Sequence, residues 1–406
     1  MNTRTWLLSM IIMPAIAFAQ PSFSLQPDVQ AQLGVTQQPR EYLDLPINIE
    51  APIQPTPVKG TDGKWYLVYH LFLTNWSFSD LTLKSVDESD EVHGKILARY
   101  EDEELSDFYR FRSLIPTPPR SEMPNRKYPR QMGSGRTGVL FFWLTADAPN
   151  LIPSMLSHRF TFETNPLMKL LRDSVADPSG GIVLDNFRVR VSAGKPIVIG
   201  APLHGGPWRC GNGPAYNSVH QYLTIREGKV RIAQRFAIDF QKVDAEGNIL
   251  PSPFPDEITN KMFYGYGAEV IAVTDGVVSF VKDGIPENVP QASGEIKAAV
   301  PITRETVSGN WISIELGKNR YAFYAHLQPG SIRVKVGDKV RKGQVIGLLG
   351  NSGNTVGPHL HFHIGDANSL NGSEGIPFVF DSFDIIGEAQ PHVLELPLNN
   401  TVARFP

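Results

Sequence analysis

The chain has one cysteine, Cys210, in 406 residues. A single thiol excludes an intramolecular disulfide framework. Positive charge is not in excess either. Lys and Arg number 38 against 41 Asp and Glu, a net charge of −3, so no basic field points to nucleic acid. No segment reaches the ~18 apolar residues that a membrane-spanning helix needs. Long amphipathic helical periodicity is missing from the first half. Glycine (35) and proline (33) are plentiful and favour many short strands and turns. The length suits two or three domains of ~100–200 residues.

Residues 1–19 read as an export signal. Arg4 supplies charge, residues 6–15 are mostly apolar, and Ala17-Phe18-Ala19 fits a small-x-small cleavage site. The expected product is an exported bacterial protein, periplasmic or secreted, with no stable membrane span once the signal is removed.

The fold class read from the sequence is mainly β: an N-terminal β-sandwich followed by a barrel-like β domain. Trp65-Tyr66-Leu67-Val68-Tyr69-His70-Leu71-Phe72-Leu73 and Gly138-Val139-Leu140-Phe141-Phe142-Trp143-Leu144 read as buried strands. Residues 40–198 are expected to form the sandwich. His70, His93 and His158 lie there without partners at ligand spacing and read as structural. A Pro/Gly-rich connection at 194–214 leads into a second domain over 200–390, again of short strands. Gly265-Tyr266-Gly267 lacks the flanking strand and helix of a dinucleotide fingerprint.

The densest chemistry is Gly357-Pro358-His359-Leu360-His361-Phe362-His363-Ile364. It holds three of the ten histidines at i, i+2 spacing. On a strand such residues share one face, ~7 Å apart. Neutral imidazole clusters of this kind hold transition metals. Elsewhere, Asp239 ends the apolar run Phe236-Ala237-Ile238, and His326 sits in Tyr324-Ala325-His326-Leu327. Gly350-Asn351-Ser352-Gly353-Asn354-Thr355 is a turn-rich lead into the histidine strand.

In order along the chain, Gly309-Asn310-Trp311, Tyr324-Ala325-His326-Leu327, Val336-Gly337-Asp338-Lys339-Val340, Gly343-Gln344-Val345-Ile346-Gly347 and Gly357-Pro358-His359-Leu360-His361 resemble the lysostaphin-type zinc metallopeptidases. That family cleaves peptide cross-links of bacterial peptidoglycan. The resemblance covers roughly residues 235–365 and implies a metalloendopeptidase acting on peptidoglycan or other extended peptides. It implies that His359 and His326 are catalytic and that Asp239 and His361 bind Zn2+. His363 stands where an acidic residue is common.

One position departs from the pattern. Four residues before Asp239, where the family usually has a histidine ligand, stands Arg235. A guanidinium has no lone pair for zinc, and a catalytic zinc normally takes three protein ligands. His220 is the expected replacement, brought beside Asp239 by strand pairing through a hairpin turn at Glu227-Gly228-Lys229. His204 is the alternative. Two further readings compete. One is a degenerate, non-catalytic module that binds peptidoglycan or activates another hydrolase, favoured by Arg235. The other is a lipoyl-type carrier hairpin around Lys342, disfavoured because no Met lies near it and the histidines would be idle.

Overall fold

Alternate residues of the strand Trp65–Asn75 go to different cores, which explains its almost unbroken run of apolar side chains. Leu67, Tyr69, Leu71 and Leu73 enter one cluster, while Tyr66 and Val68 enter a second and Phe72 a third. Its partner Thr137–Ala146 behaves alike: Leu140, Phe142 and Leu144 face the first cluster, Val139 and Phe141 the other side. The sheet they share is therefore covered on both faces.

The computed structural model describes residues 47–406 except 78, 108–109, 114–129, 165–181, 254–256 and 292. The expected export signal at 1–19 lies outside the described residues. Two five-stranded sheets enclose the first cluster as a β-sandwich between residues 47 and 190. Its outer face meets the second half of the chain. There Tyr66, Val68 and Val58 join one core with Trp208, Phe236, Ile238, Tyr324 and Phe362. Both halves belong to the compact unit Leu45–Pro406.

The mainly β expectation holds; the one α-helix among the described residues is Asp102–Leu105. The second half is built on an eleven-stranded sheet, open in its described pairings rather than closed into the expected barrel. At its centre run Gly205–Gly211, Ile238–Lys242, Leu360–Gly365, Arg320–Leu327 and Asn310–Gly317, each antiparallel to the next. Register sets Asp239 between Gly211 and His361, and His361 opposite Ala325. Among the described residues, no helix is long and apolar enough to cross a membrane.

Candidate metal centre

Asp239 is buried in the central strand Ile238–Lys242, so its carboxylate needs partners. It finds them on three sides. Its Oδ1 lies 2.9 Å from His361 Nδ1 and 3.6 Å from His359 Nε2. Its Oδ2 lies 3.4 Å from His220 Nε2 and accepts from Asn212 Nδ2 at 2.8 Å. One ligand atom each from His220, Asp239 and His361 falls within 4.8 Å of the others. His326 completes the group, its ring 4.8 Å from that of His359 and 6.0 Å from that of His361.

The route of His220 differs from the expected one. The hairpin exists, Thr224–Arg226 paired with Lys229–Arg231, with Glu227 and Gly228 both at positive φ as a two-residue turn requires. The neighbours of Asp239 in the sheet are nonetheless Gly211 and His361, and His220 reaches it from a turn after the strand Gly205–Gly211. His204, the alternative ligand, is exposed, with Nδ1 2.9 Å from Pro406 O.

Hydrogen bonds fix the orientation of each imidazole. His363 Nε2 faces Leu370 O at 3.1 Å and must donate to it. Its Nδ1 then accepts from His361 Nε2 at 3.0 Å, which leaves a lone pair on His361 Nδ1 toward Asp239. The same logic applies elsewhere. Nδ1 of His220 donates to Asn212 O at 2.8 Å, Nδ1 of His359 to Gly357 O at 2.9 Å, and Nδ1 of His326 to Ser352 O at 2.7 Å. In neutral rings the opposite nitrogens of His220, His359 and His361 therefore present lone pairs to a carboxylate. Acceptors facing acceptors in a buried site call for a cation, so this donor set fits a divalent metal held by two imidazoles and a carboxylate.

The electrostatics agree. Burial opposes ionisation of Asp239, yet His220 and His359 hold its pKa well below the usual carboxylate range. Burial opposes a proton on His220, but Asp239 raises its pKa. Burial keeps His361 low despite Asp239. Burial, then His359 and His361, hold His326 well below the ordinary imidazole value. His326 also has φ = 64°, a left-handed conformation that a non-glycine residue adopts only when its surroundings impose it.

Arg235 is no ligand. Fully buried, it forms an ion pair with Glu374, and its Nη2 donates to His70 Nδ1 of the sandwich at 2.8 Å. His70 is kept neutral by burial and then by the Arg235 charge. Asn212, Ser352 and Leu370, which orient His220, His326 and (through His363) His361, were not legible as site residues. Their only signal was the turn-rich character of the Asn212 and Ser352 segments.

Residues 261–372 match peptidase family M23. This stretch contains His326, His359, His361 and His363 and leaves His220 and Asp239 upstream. Over 57 residues the chain is 46% identical to the peptidoglycan DD-endopeptidase ShyA of Vibrio cholerae, covering 14% of this chain and 13% of that protein. It is 44% identical over 57 residues to an uncharacterized metalloprotease of Buchnera aphidicola, covering 14% and 15%. The matched stretches thus span well under two thirds of either relative. The catalytic domain of lysostaphin from Staphylococcus simulans is 26% identical over 32% of this chain and 86% of its own, with a TM-score of 0.20. Residues 261–372, in the C-terminal part of this chain, thus carry a domain of peptidase family M23.

Proposed function

We propose that this protein is an exported, zinc-dependent endopeptidase that cleaves peptide cross-links of bacterial peptidoglycan. The observation that carries the reading is the convergence of His220, Asp239 and His361, with His326 and His359 beside them. Relatives named as peptidoglycan endopeptidases support the substrate class. His220, Asp239 and His361 are the proposed zinc ligands, a set of three that leaves a position open. When bound, the metal supplies Lewis acidity that polarises a carbonyl and acidifies water.

The chain's own residues do the rest. His326 and His359, each with Nδ1–H tied to a backbone carbonyl, offer Nε2 as the proton acceptor. One takes the proton of the attacking water and returns it to the leaving amine. The imidazolium formed meanwhile stabilises the developing oxyanion. Ser352 O and Gly357 O keep both rings from rotating, so proton transfer needs no reorganisation.

The test is to incubate the full chain with purified peptidoglycan, with and without a chelator, and to measure zinc per chain. Release of cross-linking peptides that stops on chelation and returns with zinc supports the proposal. A chain that holds zinc and binds peptidoglycan without cleaving it instead supports the degenerate-binder reading.

A further inference from the structure

We propose that the N-terminal β-sandwich is part of the metal centre, with Arg112 as the positioning residue for the His220 ligand. The proposal rests on the zinc reading above and extends it to a residue far outside the M23 stretch.

His220 is the weak point of the centre. Asp239 and His361 are fixed by strands on both sides. His220 lies in a turn whose backbone bonds are mostly local, Ser218 N to Ala215 O and Gln221 N to Ser218 O, with one long-range bond, Asn399 N to Pro214 O at 3.4 Å. A ligand on such a segment needs an external anchor. The residue after it, Gln221, is buried, so its carbonyl must be paired within the protein. Arg112 Nη1, from the sandwich strand Phe111–Ser113, donates to that carbonyl at 2.6 Å. Arg112 is itself buried, its guanidinium 4.7 Å from the ring of Phe141.

Three further contacts tie the same segment to the sandwich. The Arg110 guanidinium lies 4.1 Å from the Tyr100 ring and 5.7 Å from that of Tyr216. Phe72, Val139 and Phe141 of the sandwich form one cluster with Ile232, Leu223 and Val230, which flank and form the hairpin after His220. His70 accepts from Arg235 beyond that hairpin. The segment carrying His220 is thus clamped between the sandwich and the large sheet. Arg112 is the clamp's polar contact nearest the ligand in sequence.

The experiment uses the full chain with Arg112→Met, which keeps the stem over Phe141 and removes the donors, Arg112→Gln, which cannot span the same distance, and Arg112→Lys, which restores one donor. Zinc affinity is read by competition with a chromophoric chelator. Thermal unfolding is read in chelator and in zinc. Partners that orient ligands typically contribute 10–100-fold to metal affinity. Arg112→Met and Arg112→Gln are expected to weaken zinc binding about 10-fold, with Arg112→Lys recovering most of it. They should also lower the unfolding temperature more in zinc than in chelator, since weaker binding shrinks the ligand's stabilisation. If whichever of Arg112→Met and Arg112→Gln folds keeps wild-type zinc affinity, or loses equal stability with and without zinc, Arg112 supports the fold only and the proposal is overturned. A wild-type chain that binds no zinc sinks the metallopeptidase reading instead. Zinc binding without cleavage leaves the Arg112 measurement decisive by itself.

Discussion

At the scale of residues, His361, His220 and His359 all direct a lone pair at Asp239, at 2.9, 3.4 and 3.6 Å, and His326 alone of the four stands apart from it. His220 and His361 direct lone pairs at Asp239 within the three-residue cluster, whereas His326 has no contact with that carboxylate short enough to be an ion pair. His220→Ala should therefore lose most bound zinc, measured by elemental analysis of the purified chain. Full occupancy would remove His220 from the ligand set. His326→Ala and His359→Ala should keep their zinc and lose hydrolysis by ~10²–10⁴-fold, the usual contribution of one acid–base group. Loss of zinc in both would invert the two roles. The i, i+2 spacing made His359, His361 and His363 legible as a cluster, because strand alternation is a local rule. The carbonyls that set their tautomers were not, because any residue has one and only the fold decides which faces a ring. The partners of Arg235 were hidden for a similar reason: His70 is 165 residues away in sequence and Glu374 is 139.

At the scale of elements, two turns hold the catalytic side of the site. Ser352 is their hub. Its carbonyl accepts from His326 Nδ1, its Oγ donates to Leu327 O at 2.8 Å, and the same Oγ accepts from Asn310 N at 2.9 Å. Such close approach requires Gly309, which has φ = 60° and whose added Cβ would collide with Ser352 O and Oγ. Gly309→Ala should displace Ser352 and rotate His326 away from its productive position. A misplacement of about 1 Å can cost 10²-fold in rate. We expect hydrolysis to fall by about that factor while zinc content stays at the wild-type level; unchanged hydrolysis in a folded Gly309→Ala chain would show that the turn does not govern His326. Both segments were visible in the sequence as glycine-rich turns beside the histidines. Their mutual contact was not, since the 43 residues from Gly309 to Ser352 include three strands of the large sheet and one strand of the small ladder beside it.

At the scale of the whole molecule, the sandwich brings to the chain a buried proton network of its own. Tyr69 Oη lies 2.6 Å from both Glu88 Oε1 and His158 Nε2. His158, its pKa lowered to about 4 by burial, is neutral and donates from Nδ1 to Phe187 O, so its Nε2 turns a lone pair to Tyr69 Oη. Tyr69 thus has one proton for two acceptors, His158 and Glu88, and a proton on the carboxyl relieves that competition. Burial accordingly raises Glu88 from its usual 4.5 to about 7, against the opposing hydrogen bonds of Tyr69 and Tyr100. For an acid whose folded pKa is raised, the unfolded chain releases its proton first. Stability therefore begins to fall as pH rises above about 4.5 and stops falling above about 7. The loss across that window is on the order of 3 kcal/mol for this one group. Glu88→Gln keeps the shape and the hydrogen-bonding capacity without the charge. The difference in unfolding free energy between wild type and Glu88→Gln, measured in denaturant with chelator present so that the metal centre does not contribute, should move in favour of the variant between pH 5 and pH 8. A difference independent of pH would mean that Glu88 is already ionised in the folded sandwich and that Tyr69 donates to it rather than to His158.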